Sequence, residues 1–510
     1  MDALQGTRIV VVGAGFGGLA SASYLADAGA AVTVVERNDQ VGGRATVFER
    51  DGFRFDMGPS WYLMPDVFAD YFGDFGRTPD EFYSLERLDP HYRVFFKENV
   101  GARPAGEAPG LRVDEDGDVF DVTSDREQVK AVFEAYEEGA GEALDRYLEQ
   151  SRENYEVGLE HFVYEDRTSI RDFLDPRLAS YARGLTLLGS MQDHVERYFD
   201  HPKLQQVMQY TLVFLGGAPT NTPALYNLMS HVDFNLGVYY PEGGMAGVVD
   251  AVATVARQRG VEIRTETTVE KIRGRRGNFT VETEDGAVSA DVVVSDADYA
   301  HTEQDLLGPS HRQYDAAYWD SRTYAPSAFM LYLGVEGEVP DLAHHTLVLP
   351  ADWSEHFDRI FENPAWPEDP AYYVSVTSET DDDVAPPGHS AVVILVPIAT
   401  GLVDSPTIRD RYRDAVLADL TANTGTDLRE RIVVEESFAV EDYADAYNAY
   451  RGTALGLAHT LRQTSLFRPS RRSSALDGLY FTGAFTTPGI GVPMCLISGQ
   501  LTAEAVIEDA

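Results

Sequence analysis

A glycine-rich turn between a β-branched run and a helix, an acid at the end of the next apolar run, and a second strand–glycine–helix passage in residues 471–510 predict an α/β protein. Its organising element is a Rossmann-type dinucleotide-binding domain assembled from separate stretches of chain. The remainder forms a substrate domain of mixed sheet and helices. The opening stretch is RIVVVGAGFGGLASASYLADAGAAVTVVERN, residues 8–38. Ile9 to Val12 is short and β-branched, as a buried parallel strand requires. Gly13, Gly15 and Gly18 follow as G-x-G-x-x-G, interleaved with Ala14, Phe16 and Gly17. A helix runs from Phe16 to Ala28 and stops at Gly29. Ala31 to Val35 is the second strand, with Glu36 and Arg37 at its end.

Each part has a mechanical role in a dinucleotide site. Gly13 makes the tight turn, Gly15 lets a pyrophosphate approach the backbone, and Gly18 lets the helix pack on the strand. The helix N-terminus offers free N–H groups and the positive end of a dipole. Glu36 can accept hydrogen bonds from ribose hydroxyls. An acid here disfavours a 2′-phosphate, so NADP is the least favoured occupant, although Arg37 blunts that argument. NAD and FAD both remain open on these residues alone.

Further along, residues 99–120 are rich in Gly, Pro and acid and read as an exposed loop or hairpin. Residues 126–235 are mostly helical by pattern. YYPEGGMAGVVDAVATVARQRG gives a Gly243-Gly244 turn opening a helix that ends at Gly260. Short strands follow, with turns at Gly274 to Gly277 and at Asp285-Gly286, and then a buried strand Val292 to Val294. Residues 301–470 alternate apolar strands (SAFMLYLGV, YYVSVTS, SAVVILVPI) with the helix TIRDRYRDAVLADLTANTG. The chain closes on a strand from Leu479 to Thr482, a glycine loop and a helix. No internal repeat is apparent.

At 510 residues the length suggests about three domain-sized units. The 44% hydrophobic content suffices for large cores, and no stretch reaches the roughly 18 unbroken apolar residues of a membrane span. No signal peptide is expected, because the first apolar run belongs to the nucleotide fold. The single cysteine, Cys495, excludes an internal disulfide and a two-cysteine redox centre, and no Cys/His metal cluster is supported. The net charge is −42, carried by 83 acids against four lysines and 37 arginines. Such dispersed acidity suits molar salt, where the Debye length falls to about 3 Å and self-repulsion is screened. Stability that rises with salt is therefore expected. With no basic patch, nucleic acid is not expected as a partner.

The Gly42-Gly43-Arg44 turn just past Glu36 resembles the second flavin motif of the FAD-binding amine-oxidase-like flavoproteins. The resemblance assigns Arg44 a place beside the FAD phosphates, and charge-assisted pairing is the physical reason. It narrows further at FDMGPSWYLMPDVF (55–68), LDPHYRVFF (88–96), YYPEGGMAGVVDAV (239–252), ADVVVSDADYAHTE (290–303) and YFTGAFTTPGIGVPMCLISG (480–499). These segments look like bacterial-type phytoene desaturases and related carotenoid desaturases, and the acidity suggests a haloarchaeal version. The resemblance implies FAD contacts at Gly13, Ala14, Gly15, Phe16, Gly17, Gly18, Glu36, Arg37, Gly43 and Arg44. It adds Gly58, Pro59, Ser60 and Val269 in the middle of the chain. At the end it adds Gly483, Ala484, Gly491, Val492 and Met494. It also implies a division into 1–97 (FAD), 98–239 (helical, substrate- and membrane-facing), 240–300 (FAD), 301–470 (substrate) and 471–510 (FAD).

What the resemblance implies is dehydrogenation of a long acyclic carotenoid, phytoene first, with 3,4-desaturation of a bacterioruberin precursor as the second reading. FAD supplies the difficult chemistry, and the protein supplies position and a dry channel. The apolar stretches 207–219, 224–229 and 329–335 are candidate channel walls, with ordinary core as the other reading of each. No second G-x-G-x-x-G is present to bind NAD(P)H, so reoxidation falls to an external acceptor, a quinone or oxygen. A water-insoluble substrate implies a cytoplasmic protein peripherally associated with the membrane, with residues 180–240 the expected contact. No catalytic base is readable. His194, His231 and His301 read as hydrogen-bonded structural residues, Asp296 as a strand-end acid facing the nucleotide, and Cys495 as a small core residue. A redox-neutral carotenoid isomerase would keep every motif. An amine oxidase is disfavoured by the lack of a lysine beside a flavin motif, and a prenyl-lipid carrier by the intact glycines.

Overall fold

The computed structural model describes residues 3–97, 104, 106–113, 117–159, 163–164 and 189–510. The nucleotide layer consists of β1 (Arg8–Val12), α1 (Phe16–Asp27), β2 (Ala31–Val35), α2 (Gly244–Gln258), β3 (Glu262–Arg264), β4 (Val292–Ser295), β5 (Leu479–Phe481) and α3 (Val492–Glu508). Its strands form one sheet in the order β3-β2-β1-β4-β5, and every pairing is parallel. The chain thus enters this sheet three times. The order turns back between β1 and β4, which opens the crevice in which such sheets bind ligands.

β1 is buried on both faces, so its residues divide by parity. Ile9 and Val11 pack with α1, α2 and α3, whereas Val10 and Val12 pack with Ile272, Phe279 and Val281. The latter three come from a small antiparallel sheet, Val269–Arg275, Asn278–Thr283 and Gly286–Ala290, which covers that face. Alternation between two apolar partners is why the run reads as continuously hydrophobic. α1 and α3 approach closely: a Cβ on Gly499 would lie 2.6 Å from the Ala20 Cβ and 2.7 Å from the Gly17 carbonyl.

The second layer is an eight-stranded sheet. In spatial order its strands are Ile432–Phe438, Ser327–Glu336, His389–Ile398, Tyr372–Val376, His345–Leu349, Tyr92–Phe96, Asp118–Val122 and Leu111–Val113. Only the pairing of His345–Leu349 with Tyr92–Phe96 is parallel, so the sheet is mixed. Because Tyr92–Phe96 belongs here, the chain leaves the nucleotide layer before residue 97, earlier than the sequence boundary. Leu111–Val113 and Asp118–Val122 pair as the hairpin read in residues 99–120. In Ser327–Glu336, Phe329, Leu331, Leu333 and Val335 pack on one side and Met330 and Tyr332 on the other. That stretch is two-sided core, not a channel wall.

Helices Arg126–Tyr136, Ala140–Gly158, Met191–Val195 and Pro202–Gln209 pack against one face of this sheet. Asp125 caps the first through the Glu127 and Gln128 N–H groups (3.0 and 3.3 Å), and Ser190 caps the third through Asp193 (3.1 Å). Residues 160–162 and 165–188 of the region expected to be helical lie outside the described residues. None of the described side chains of 189–240 is a large exposed hydrophobic. The exposed ones nearest in sequence to the nucleotide layer's closing strand are Leu461 and Phe467.

Candidate functional site

The opening loop is a cradle that no side chain could share. Gly13 has φ +99° and donates its N–H to the Val35 carbonyl (2.8 Å), which ties the turn to β2. A Cβ on Gly18 would meet the Gly13 oxygen at 2.2 Å, which is the helix-on-strand approach expected of that glycine. A Cβ on Gly15 or Gly17 would instead meet the Asp296 carboxylate, at 2.6 Å in each case. Gly15 is the N-cap of α1 and provides no side-chain cap, so the first N–H groups of the helix take their partners from outside it. Phe16 opens the helix and is buried.

The Asp296 carboxylate lies in that cradle, where the backbone N–H groups of Gly18 and Gly15 point at it. Burial pushes its pKa up to about 7; Glu36 adds to the rise, and Arg44 and the two backbone donors oppose it. A pair of acidic oxygens at the helix N-terminus is thus a feature of this fold. Asp296 is the residue whose importance the sequence understated, and its one signal was its place at the end of a strand paired with β1.

Glu36 is 6% exposed. One carboxylate oxygen accepts the Ala14 N–H (2.8 Å) and the other the Asn38 N–H (2.9 Å), so the acid braces the loop while each oxygen keeps a lone pair. Burial raises its pKa. The Glu36 carbonyl accepts the Thr267 N–H (2.8 Å), which brings Val269 to the same end of β2. Arg37 follows, exposed, with its guanidinium donating to Asn448 (2.7 Å).

Arg44 sits on the short turn Gly43–Ala45, with Gly42 at φ +113° and Gly43 at φ +59°. A Cβ on Gly43 would lie 3.4 Å from the Gly15 Cα, so the two glycine turns face each other. The Arg44 Nε is buried and has no hydrogen-bond partner among the described residues. Gly58 packs on the Arg44 backbone, where a Cβ would meet the carbonyl at 2.2 Å. Pro59 and the buried Ser60 follow, with the Ser60 hydroxyl donating to the Gly58 carbonyl (3.3 Å).

Residues 483–494 close the other side. Gly483 (φ +87°) donates to the Ser498 hydroxyl (3.0 Å), and a Cβ on it would lie 2.5 Å from the Asp296 carboxylate. The Ala484 carbonyl accepts from Arg468 (2.6 Å). Gly491 (φ +122°) is the N-cap of α3, and Val492 and Met494 lie in its first turn, both partly buried. His459 holds the loop: its Nε2 accepts the Ile490 N–H (3.1 Å). Burial keeps the imidazole neutral, so its proton is on Nδ1 and points to Tyr226, whose hydroxyl also bonds the Thr464 hydroxyl (3.0 Å). His459, Tyr226 and Arg468 lie in loops or short turns and carry no periodic signal in the sequence.

The other candidates prove structural. His194 bonds Asn227 (3.0 Å), His231 bonds Asn235 (2.7 Å), and His301 pairs with Asp305 one turn on (2.8 Å). Burial lowers the His194 pKa to about 4. Cys495 packs on the nucleotide-layer core, and burial pushes its thiol up to about 12, which disfavours the thiolate.

These residues fit a flavin dinucleotide. The cradle has room for no Cβ, a carboxylate already occupies a place suited to phosphate oxygens, and the buried Arg44 Nε awaits an acceptor. Comparison with known proteins agrees. The model of the flavin containing amine oxidoreductase family matches residues 16–507. A carotenoid 3,4-desaturase of Haloarcula japonica is 59% identical over all of both chains. A zeta-carotene-forming phytoene desaturase of Myxococcus xanthus is 34% identical over 99% of this chain and 94% of its own. A phytoene desaturase of Neurospora crassa is 33% identical over 98% and 84%. Among solved structures, an oxidoreductase from Methanosarcina mazei (TM-score 0.60, 19% identity, 98% of this chain and 100% of that chain) shares the fold. So does a putrescine oxidase (TM-score 0.60, 16% identity, 98% and 99%).

Proposed function

We propose, from the premise that this chain belongs to the flavin-containing amine oxidoreductase family and to the carotenoid desaturases within it, that it introduces the 3,4 double bond of a long acyclic carotenoid. The observation that carries the reading is the 59% identity, without loss of length, to a protein named for that reaction. Desaturation of phytoene, placed first on the sequence alone, becomes the second reading; the relatives that favour it are 33–34% identical.

FAD, when bound, supplies the two-electron oxidation. The chain's own residues hold and shield it. Glu36 offers its remaining lone pairs to ribose hydroxyls, the α1 N-terminus and Arg44 neutralise the pyrophosphate, and the α3 N-terminus faces the same crevice. Reoxidation falls to an external acceptor. The substrate is drawn from the bilayer through peripheral contact. Support for that comes from Leu461 and Phe467, 45% and 65% exposed on the segment that braces the 483–491 loop, while no described helix is long and apolar enough to cross a membrane.

The test incubates purified protein, in molar salt with lipid, either with phytoene or with a late hydroxylated precursor, and follows absorption spectra. A red shift with the late precursor, anaerobic bleaching of FAD and no need for NADPH are expected. Conversion of phytoene alone moves the assignment to the second reading. Geometric isomers without added conjugation replace both with an isomerase.

A further inference from the structure

Arg468 is a buried cation with no carboxylate beside it among the described residues. Its residue is 5% exposed. The guanidinium donates to four carbonyls: Thr486 (3.2 Å), Gln463 (3.3 Å), Leu457 (3.2 Å) and Ala484 (2.6 Å). The titratable groups close enough to feel it, among the described residues, are Tyr226, Cys495, Tyr318 and His459, all neutral at pH 7. Several buried or half-buried cations are paired with acids: Lys97 with Asp369 and Asp419, Lys203 with Asp118, Arg409 with Asp404 and Asp442. Arg468 differs from these in being held by carbonyls alone. Burial without a counter-ion is unfavourable for the charged form, and the Arg468 pKa falls to about 10, still charged in ordinary buffers. Bonds to carbonyls alone do not require a charge.

The place of the charge suggests its use. Gly489 lies on it, a Cβ there being 3.3 Å from the guanidinium carbon, and its other partners include residues 484 and 486. Arg468 therefore lies directly behind the 483–491 loop. A dinucleotide whose one ribose is at Glu36 and whose pyrophosphate is at the α1 N-terminus must carry its other half across the ends of β4 and β5, onto that loop. Oxidation of a CH–CH unit sends two electrons and one proton to the isoalloxazine, which gains one negative charge. The second proton leaves to solvent or a base, and the new C=C takes the remaining electron pair. A fixed positive charge in a low-dielectric setting favours the more negative state.

We propose that Arg468 is a positioning residue whose charge raises the reduction potential of the bound FAD; this rests on the FAD reading above. The full-length, FAD-loaded protein is equilibrated with redox dyes of known potential, and the flavin absorbance is followed for wild type, Arg468→Lys and Arg468→Met. Arg468→Met is expected to lower the ratio of reduced to oxidised flavin at a fixed poise at least tenfold, about 30 mV for two electrons. Its affinity for sulfite, which forms an anionic flavin adduct, should fall in the same proportion. Arg468→Lys should stay near wild type at pH 7. A flavin-loaded Arg468→Met with unmoved potential, or an Arg468→Lys displaced as far as Arg468→Met, would overturn the proposal while leaving FAD binding standing. Wild-type protein without flavin absorbance would overturn both. If Arg468→Met does not fold, Arg468→Lys decides. A buried lysine loses its proton at accessible pH, so its potential must fall away from wild type as pH rises, and parallel pH profiles would reject the charge role.

Discussion

The two layers of this protein handle buried polarity in opposite ways. In the nucleotide layer the working groups are backbone: Gly13 to Val35, Ala14 and Asn38 to Glu36, Thr267 to the Glu36 carbonyl. In the eight-stranded layer and its helices they are side chains meeting side chains. Asp233 takes the hydroxyls of Tyr92 (2.8 Å) and Tyr210 (2.9 Å), Lys203 meets Asp118, and Tyr373 meets His345 (2.7 Å). A site built from backbone needs a short local pattern of glycines and a strand end. A network of side chains is assembled from distant positions, 141 residues apart for Asp233 and Tyr92. The first leaves a motif behind and the second does not.

If the cradle is backbone-built, one Cβ should abolish it. Gly15→Val puts a branched side chain where a Cβ already lies 2.6 Å from the Asp296 carboxylate, in the path of the pyrophosphate. The expected result is a folded, colourless protein with no flavin absorbance and no desaturation, checked by absorption spectra alongside circular dichroism. A full flavin spectrum in this variant breaks the comparison at its root.

The other layer should fail through stability, not cofactor binding. Lys203 and Asp118 are both buried, and Asp118 also takes the Tyr136 hydroxyl (3.1 Å). Lys203→Met leaves a carboxylate without its cation, a loss of about 3–5 kcal/mol by analogy with broken buried pairs. Denaturant titration should show that loss, while the flavin spectrum at low temperature stays normal. Replacing both partners by apolar residues should recover most of it. Loss of flavin without loss of stability would mean that the two layers are not separable in this way.

The same contrast explains what the sequence could show. β1, α1 and β2, the helix Gly244–Gln258 and the three entries into the parallel sheet were legible, because each is a strand or helix bounded by a glycine with a positive φ or a strand end. The placement of Glu36 and Arg44 followed. Tyr92–Phe96 was assigned to the wrong layer, since an apolar run does not reveal which sheet it joins. Phe329–Val335 reads alike as core or channel wall, because a strand buried on both faces has no polar side. Arg37, a cofactor contact by resemblance, places its side chain on Asn448, 411 residues on, a pairing that no local pattern announces. His459 and Arg468 matter through contacts with residues 483–491 that only the folded chain creates.

Asp296 is the side chain that intrudes on the backbone-built site, so it offers the finest and smallest test. Its pKa, about 7 in the fold, stands above its ordinary 3.8 because the carboxylate is buried. A raised acid favours the fold most at low pH, so its contribution to stability is lost as pH rises between about 4 and 7. A pyrophosphate beside it opposes ionisation further. Above pH 7, FAD binding must therefore be accompanied by proton uptake, or else tolerate a like charge in the cradle. Wild-type affinity for FAD should accordingly weaken as pH rises from 6 to 8.5, by at most about tenfold per pH unit for one proton. Asp296→Asn keeps the size of the group without its titration. Its affinity should be flat over the same range and exceed that of wild type at pH 8.5. The measurement is quenching of FAD fluorescence on titration with apoprotein, in molar salt at each pH. Parallel profiles for the two proteins would show that the carboxylate turns out of the cradle when FAD enters, and that the site is backbone-built throughout.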